Sequence, residues 1–358
     1  MQNARGRKER VTRVSAYSQV VVKVGVERSY LIDRRTLQNL AECKSSEELI
    51  SRLKRSIYRS VLKGIETPSA EELQYSLKEE LIRLYRRMVD YSPEEIRSFL
   101  KDYISKLEIE NLKALLRGKN VGVSQRTLVK RLHLSVEDIF GRRELFIQAI
   151  KDRDVKSVIE RFRGTEYEPI LLEGMHKYEE TGSTKFFDFS LDRAYYENLL
   201  NSAEAVPWVD REIASSFAGT EVDLFNIVTI IRSKFLGYPS HSIYRMVTHR
   251  FYKLTESQIR TLISSESLDS VLNAIKKGYY GKFLPTLGRL EETLIKFKMA
   301  IKNFTSSALE KKRVMNPFTI ASPLSLMVRK EVEVENLMMI SSAIEFGWKP
   351  EDITSILF

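Results

Sequence analysis

An internal repetition constrains this chain more than any other feature. Glu108-Ile109-Glu110-Asn111-Leu112 returns as Glu333-Val334-Glu335-Asn336-Leu337, with a weaker middle copy, Asp223-Leu224-Phe225-Asn226-Ile227. The asparagines lie 115 and 110 residues apart. Eleven residues after each stands a glycine, Gly122, Gly237 or Gly347, and eighteen or nineteen before each a proline, Pro93, Pro207 or Pro317. A second set of landmarks keeps the same period: Leu53 with Tyr58, Phe162 with Tyr167, Ile275 with Tyr280. Self-similarity at a fixed period is the signature of a repeat architecture. Two landmarks in one order, three times over, predict three homologous units, over residues 1–130, 131–245 and 246–358.

The pattern inside a unit is helical. Ile96, Phe99, Leu100, Tyr103, Ile104 and Leu107 fall on one stripe of an α-helix. Ser92-Pro93-Glu94-Glu95 predicts its start, with Ser92 as cap and Glu95 closing a capping box. The stripe runs on through Asn111 to Ala114 and Leu115, so Asn111 is expected on the buried face. Val222, Asn226 and Ile230 repeat this, as do Val328, Val332, Asn336 and Ile340. A buried amide without partners costs about 1–3 kcal/mol, so each asparagine is expected to act as a polar pin between packed helices. The three glycines are expected as left-handed helix ends, each followed by a short helix near Ser124, Ser240 or Pro350. With only 15 Gly and 9 Pro in 358 residues, an all-β fold built on many tight turns is disfavoured. The expected class is all-α. One segment conflicts: Val20 to Val26 is β-branched and reads as a strand on propensity alone.

No catalytic constellation emerges. A phosphate-binding Gly-x-x-x-x-Gly-Lys-Ser/Thr loop is absent, and Gly182-Ser183-Thr184-Lys185 has its letters without its spacing. His133, His176, His241 and His249 lack metal-ligand spacing, and Cys43, the one cysteine, excludes an intrachain disulfide. Carboxylate pairs such as Glu47-Glu48 and Glu94-Glu95 sit where first turns or exposed faces of helices would put them. No catalytic, cofactor-binding or metal-binding residue is therefore assigned, and no cofactor. The net charge is +10, concentrated in residues 1–63, which hold 15 Lys/Arg against 6 Asp/Glu. Such a segment suits nucleic acid, anionic headgroups or an acidic protein face, or is a solvated helix surface. No window is long and apolar enough to span a bilayer. The chain is expected to be cytoplasmic.

The repeated helix carries a resemblance. Tyr103-Ile104-Ser105-Lys106-Leu107-Glu108-Ile109-Glu110-Asn111-Leu112, continuing to Lys119, resembles a signature of the C-subunit family of V-type and archaeal A-type ATPases, whose eukaryotic members are the d subunits. The run from Asn316-Pro317-Phe318 to Asn336-Leu337, the ending Gly347-Trp348-Lys349-Pro350-Glu351-Asp352-Ile353, and Leu191-Asp192-Arg193-Ala194-Tyr195-Tyr196 are similar to further motifs of that family. The similarity extends from about Tyr17 to Phe358. It implies three similar helical lobes around a pseudo-threefold axis, shaped like a funnel, with Val20 to Val26 helical. It also implies a non-catalytic rotor part that seats central-stalk subunits (D/F type) on a membrane proteolipid ring, peripheral on the cytoplasmic face, with no nucleic acid. Two alternatives stay open at this point: a helical scaffold of another complex, and a basic nucleic-acid binder using Arg5, Arg7, Lys8, Arg10 and Arg13.

Overall fold

The computed structural model describes residues 2–63, 69–286 and 289–357, with side chains from Thr12 onward except those of 355 and 356. The basic side chains Arg5, Arg7, Lys8 and Arg10 lie outside the described residues. Among the described residues every regular element is a helix. The chain divides into two compact units, one from residues 1–97 and 295–358, the other from residues 98–294. The chain passes between them within two long helices, Glu94–Asn120 and Leu290–Met315.

In the first unit the core is the Ala321–Glu345 helix, buried over most of its surface. It packs chiefly on Ala70–Tyr91 and Gln2–Arg28. A helix buried on all sides normally lacks a polar face, yet this one carries Lys330, Glu331 and Glu333 inside. Each is paired. Lys330 Nζ meets Glu333 at 2.6 Å, Lys302 Nζ meets Glu331 at 2.8 Å, and Tyr85 Oη donates to Glu331 at 2.8 Å. The Val20–Val26 segment is helical, inside Gln2–Arg28. Tyr17, Val20 and Val24 are buried while Val22 and Val26 are exposed. A spacing of three and four thus overrides the strand propensity of single valines, because the buried stripe decides the period.

In the second unit, Lys185–Ala205 and Trp208–Phe235 form a hairpin joined at Val206-Pro207. The Phe217 ring meets Tyr103 and Phe99 edge-on, at 5.1 and 6.3 Å between centroids. Short helices fill the remainder, among them Gln125–Arg131, Leu134–Phe140, Val155–Arg161 and Leu268–Lys277.

Capping differs from expectation at one place. Ser92 does not cap the helix that follows; its Oγ donates back to Met88 O at 2.6 Å, closing the helix before. Capping boxes form instead at Ser69–Glu72 and Thr255–Gln258. Both were open to the same pattern rule.

Candidate functional site

The two sets of sequence landmarks meet in space. Three residues before each asparagine stands a buried acid, Glu108, Asp223 or Glu333. Each accepts a hydrogen bond from one of the repeated tyrosines. Tyr167 Oη lies 2.6 Å from Glu108 Oε2, Tyr280 Oη 2.9 Å from Asp223 Oδ2, and Tyr58 Oη 2.6 Å from Glu333 Oε1. All three tyrosines are buried. The helix ahead of each tyrosine starts at a capping side chain thirteen residues upstream, Ser45, Asp154 or Ser267, which accepts from the third amide of that helix. The hydrophobic partner five residues before the tyrosine, Leu53, Phe162 or Ile275, is buried as well. Each node is thus built from a long helix carrying the acid and a short capped helix that delivers the tyrosine.

A carboxylate taken out of water must be compensated, and the three nodes do this with different chemistry. At Glu333 the compensator is a cation: Lys330 Nζ reaches Glu333 Oε1 at 2.6 Å and Tyr58 Oη at 2.8 Å, and the Ile32 amide donates to Oε2 at 2.7 Å. At Asp223, among the described residues, no side-chain cation holds the carboxylate. Three successive amides, of Tyr252, Lys253 and Leu254, donate at 3.1, 2.6 and 3.1 Å. At Glu108 the Arg142 Nε stands 3.3 Å away, and Arg142 Nη2 also holds Glu166 at 2.6 Å. Burial pushes the Glu108 and Asp223 carboxyls upward, opposed by these partners, and pushes all three tyrosine hydroxyls upward too.

The asparagines are buried as well. Asn111 grips the backbone of His133: its Oδ1 accepts from His133 N–H at 2.9 Å, and its Nδ2 donates to His133 O at 3.0 Å. Asn226 holds Thr248 by backbone and side chain, accepting from its N–H at 2.9 Å and donating to its Oγ1 at 3.1 Å. The separation is 22 residues in both. The residue at that offset from Asn336 is Phe358, outside the described residues.

Gly122, Gly237 and Gly347 have φ of 72°, 75° and 69°. Each ends its helix with one paired motif. The glycine amide bonds three residues back and the next amide five back, as in Val123 to Gly118 O at 2.8 Å, Tyr238 to Ser233 O at 2.9 Å and Trp348 to Ala343 O at 2.9 Å. This is the Schellman arrangement, which needs a left-handed residue. The residue before each glycine is a solvent-facing apolar side chain: Val121 is 74% exposed, Leu236 65% and Phe346 76%. Three apolar tips at one repeat position stand out against a surface where single exposed apolar residues are ordinary.

The second unit also holds a cavity of about 290 Å³, lined in part by Asp102, Ser105, Arg142, Glu166, Tyr195 and Asn198. Burial raises the Asp102 carboxyl to about 6. Nothing in the one-dimensional pattern marks Asp102, since its cavity is assembled from four separate stretches of chain. Among the described residues no group of three or more His, Cys, Asp or Glu is arranged to hold a metal, and no helix is long and apolar enough to cross a membrane. Cys43 is buried, and burial raises its thiol.

These features define an all-helical protein in which a buried acid–tyrosine pair recurs three times. The chain belongs to the ATP synthase (C/AC39) subunit family, whose model matches residues 20–356. It is similar to the C subunit of the A-type ATP synthase of Methanocaldococcus jannaschii, 28% identical over 352 residues that cover 96% of this chain and 86% of that protein. The corresponding C subunit of Methanobrevibacter smithii is 26% identical over 328 residues, covering 89% and 82%. That of Thermococcus gammatolerans is 23% identical over 352 residues, covering 97% and 91%.

Proposed function

We propose that the chain is a non-catalytic rotor adaptor of an A-type rotary ATPase. In this reading it is a socket, on the cytoplasmic face of the membrane, that joins central-stalk subunits (D/F type) to the proteolipid ring and transmits torque between them. The observation that carries the reading is family membership over nearly the whole chain, together with relatives that are C subunits of A-type ATP synthases.

The nodes give the role a physical basis. A part that transmits torque must strain little, which calls for close-packed interiors and helices that do not fray. We read the copies as three similar lobes around a pseudo-threefold axis, with boundaries at 1–130, 131–245 and 246–358. Each tyrosine–acid bond then ties the long helix of one lobe to the following lobe, and Tyr58–Glu333 ties the last to the first. A cyclic set of ties of this kind supports a closed arrangement. Hydrogen bonds to charged groups are directional as well as strong, so they oppose sliding of helix on helix.

The apolar tips Val121, Leu236 and Phe346 are the proposed contacts to the ring. The test is a pull-down of the full chain from solubilised membranes, with partners identified by mass. The wild type brings down a proteolipid and a coiled-coil stalk protein. The variant carrying Val121→Ser, Leu236→Ser and Phe346→Ser loses the proteolipid, while each exposed substitution changes stability by no more than about 0.5 kcal/mol. Recovery of neither partner by the wild type refutes the adaptor reading; equal recovery by the variant refutes the contact assignment.

A further inference from the structure

The Glu108 node differs from the other two by a second buried acid. Glu137, on the Leu134–Phe140 helix, is fully buried, as is Glu108. Asn111 Nδ2 donates to Glu137 Oε1 at 2.7 Å, which fixes the carboxyl against the Glu94–Asn120 helix. The carboxyl groups of Glu137 and Glu108 are within hydrogen-bonding reach of each other. Yet Glu137 Oε2 and Glu108 Oε1 are both buried and make no hydrogen bond, Glu108 Oε1 having only the ion-pair contact with Arg142 Nε at 3.3 Å.

The groups that face this pair are Arg142, Glu166 and Tyr167, with Asn111 and the backbone of His133. Arg142 is the one cation among them, and it is shared with Glu166. The neighbouring Asp138 is engaged by Arg143 at 2.9 Å. Two ionised carboxylates side by side would leave uncompensated negative charge in a buried site, which is strongly disfavoured. When two acids are in contact, the charge on one disfavours ionisation of the other.

We infer that Glu137 is a neutral carboxylic acid whose proton is donated to Glu108, so that one proton is a structural component bridging the Glu94–Asn120 and Leu134–Phe140 helices. Supplying that proton satisfies both orphan oxygens at once. It leaves Glu108 as the single anion of the buried pair, facing Arg142 and Tyr167. The shift in titration has the matching direction. Burial, then the neighbouring Glu108 charge, raises Glu137 to about 10.

The consequence for stability is opposite in sign to that of an ordinary paired carboxylate. In the unfolded chain Glu137 ionises in the ordinary glutamate range, near 4.5, while in the folded chain burial and the Glu108 charge move its ionisation well upward. Between the two ionisations the folded state holds one more proton, so stability falls as pH rises. This joint tightens on acidification. The inference stands independently of the adaptor reading, since it concerns the chain alone.

The test uses the purified full chain and its Glu137→Gln variant. Glutamine keeps an oxygen to accept from Asn111 and supplies an N–H for Glu108 without titrating. Two readouts are expected. The infrared spectrum of the wild type at about pH 8 shows a protonated-carboxyl stretch that is missing from the variant. Linkage analysis of denaturant unfolding between about pH 5 and pH 8 shows that the variant takes up about one proton fewer on folding. A wild type without that stretch at the higher pH overturns the inference, whether or not the variant folds. So does a variant with the wild-type pH slope, or one destabilised at the higher pH as strongly as Glu137→Ala.

Discussion

At the residue scale, one geometrical demand is met three times by different chemistry. A buried acid and a tyrosine recur, while the group that neutralises the acid is Lys330 in one node, Arg142 in another and three backbone amides in the third. The cost of deleting each tyrosine hydroxyl follows from what remains. A hydrogen bond to a charged group is worth about 1.5–3 kcal/mol. Tyr167→Phe and Tyr58→Phe should therefore lower the denaturant midpoint clearly. Tyr280→Phe should lower it least, because Asp223 retains its three amide donors. Lys330→Met is the severest change, about 3–5 kcal/mol, because it leaves a buried Glu333 without its cation. Asn226→Leu removes the acceptor for the buried Thr248 amide and should cost about 1–3 kcal/mol. An unchanged midpoint for Asn226→Leu would remove the asparagines from the bracing role.

At the element scale, helix ends set where the nodes fall. The caps Ser45, Asp154 and Ser267 start the helices that deliver the tyrosines, and each stands thirteen residues ahead. Replacing any one by alanine should cost about 1 kcal/mol. Gly122, Gly237 and Gly347 end the long helices in the left-handed region. A Cβ added at these three sites meets no other atom within 4 Å. The expected penalty for alanine there is thus conformational rather than steric crowding by neighbours, about 1–2 kcal/mol. Thermal unfolding of the six single variants checks both figures, and a stabilising Gly237→Ala would contradict the backbone argument.

At the scale of the whole molecule, the Ala321–Glu345 helix should be the most resistant part of its unit to local opening. It is buried along most of its length, and its interior charges are paired. Native-state hydrogen exchange should give its amides protection equal to global unfolding, while the helix Arg34–Ala41, with few buried side chains, opens sooner. Equal protection in both would show that burial of the central helix does not set the order of opening.

Some of this was readable in one dimension. The 3.6-residue periodicity determined helicity, because a stripe of apolar side chains can be buried in only one local conformation. It also put Asn111, Asn226 and Asn336 on the buried face, since a residue in the stripe shares its fate. The glycines marked helix ends because the left-handed region is open to them. The helical state of Val20–Val26 was not fixed by its own propensity, which favours a strand; burial of Tyr17, Val20 and Val24 settled it. Ser92 could cap forwards or bond backwards, and local sequence permits both. What the tertiary structure alone decided is pairing. Tyr167 and Glu108 are 59 residues apart and Tyr58 and Glu333 are 275 apart, so no local pattern connects them. Nor could sequence show that Glu108 and Glu166 share one guanidinium, that of Arg142, because a carboxyl's charge depends on which groups folding brings within a few ångströms of it.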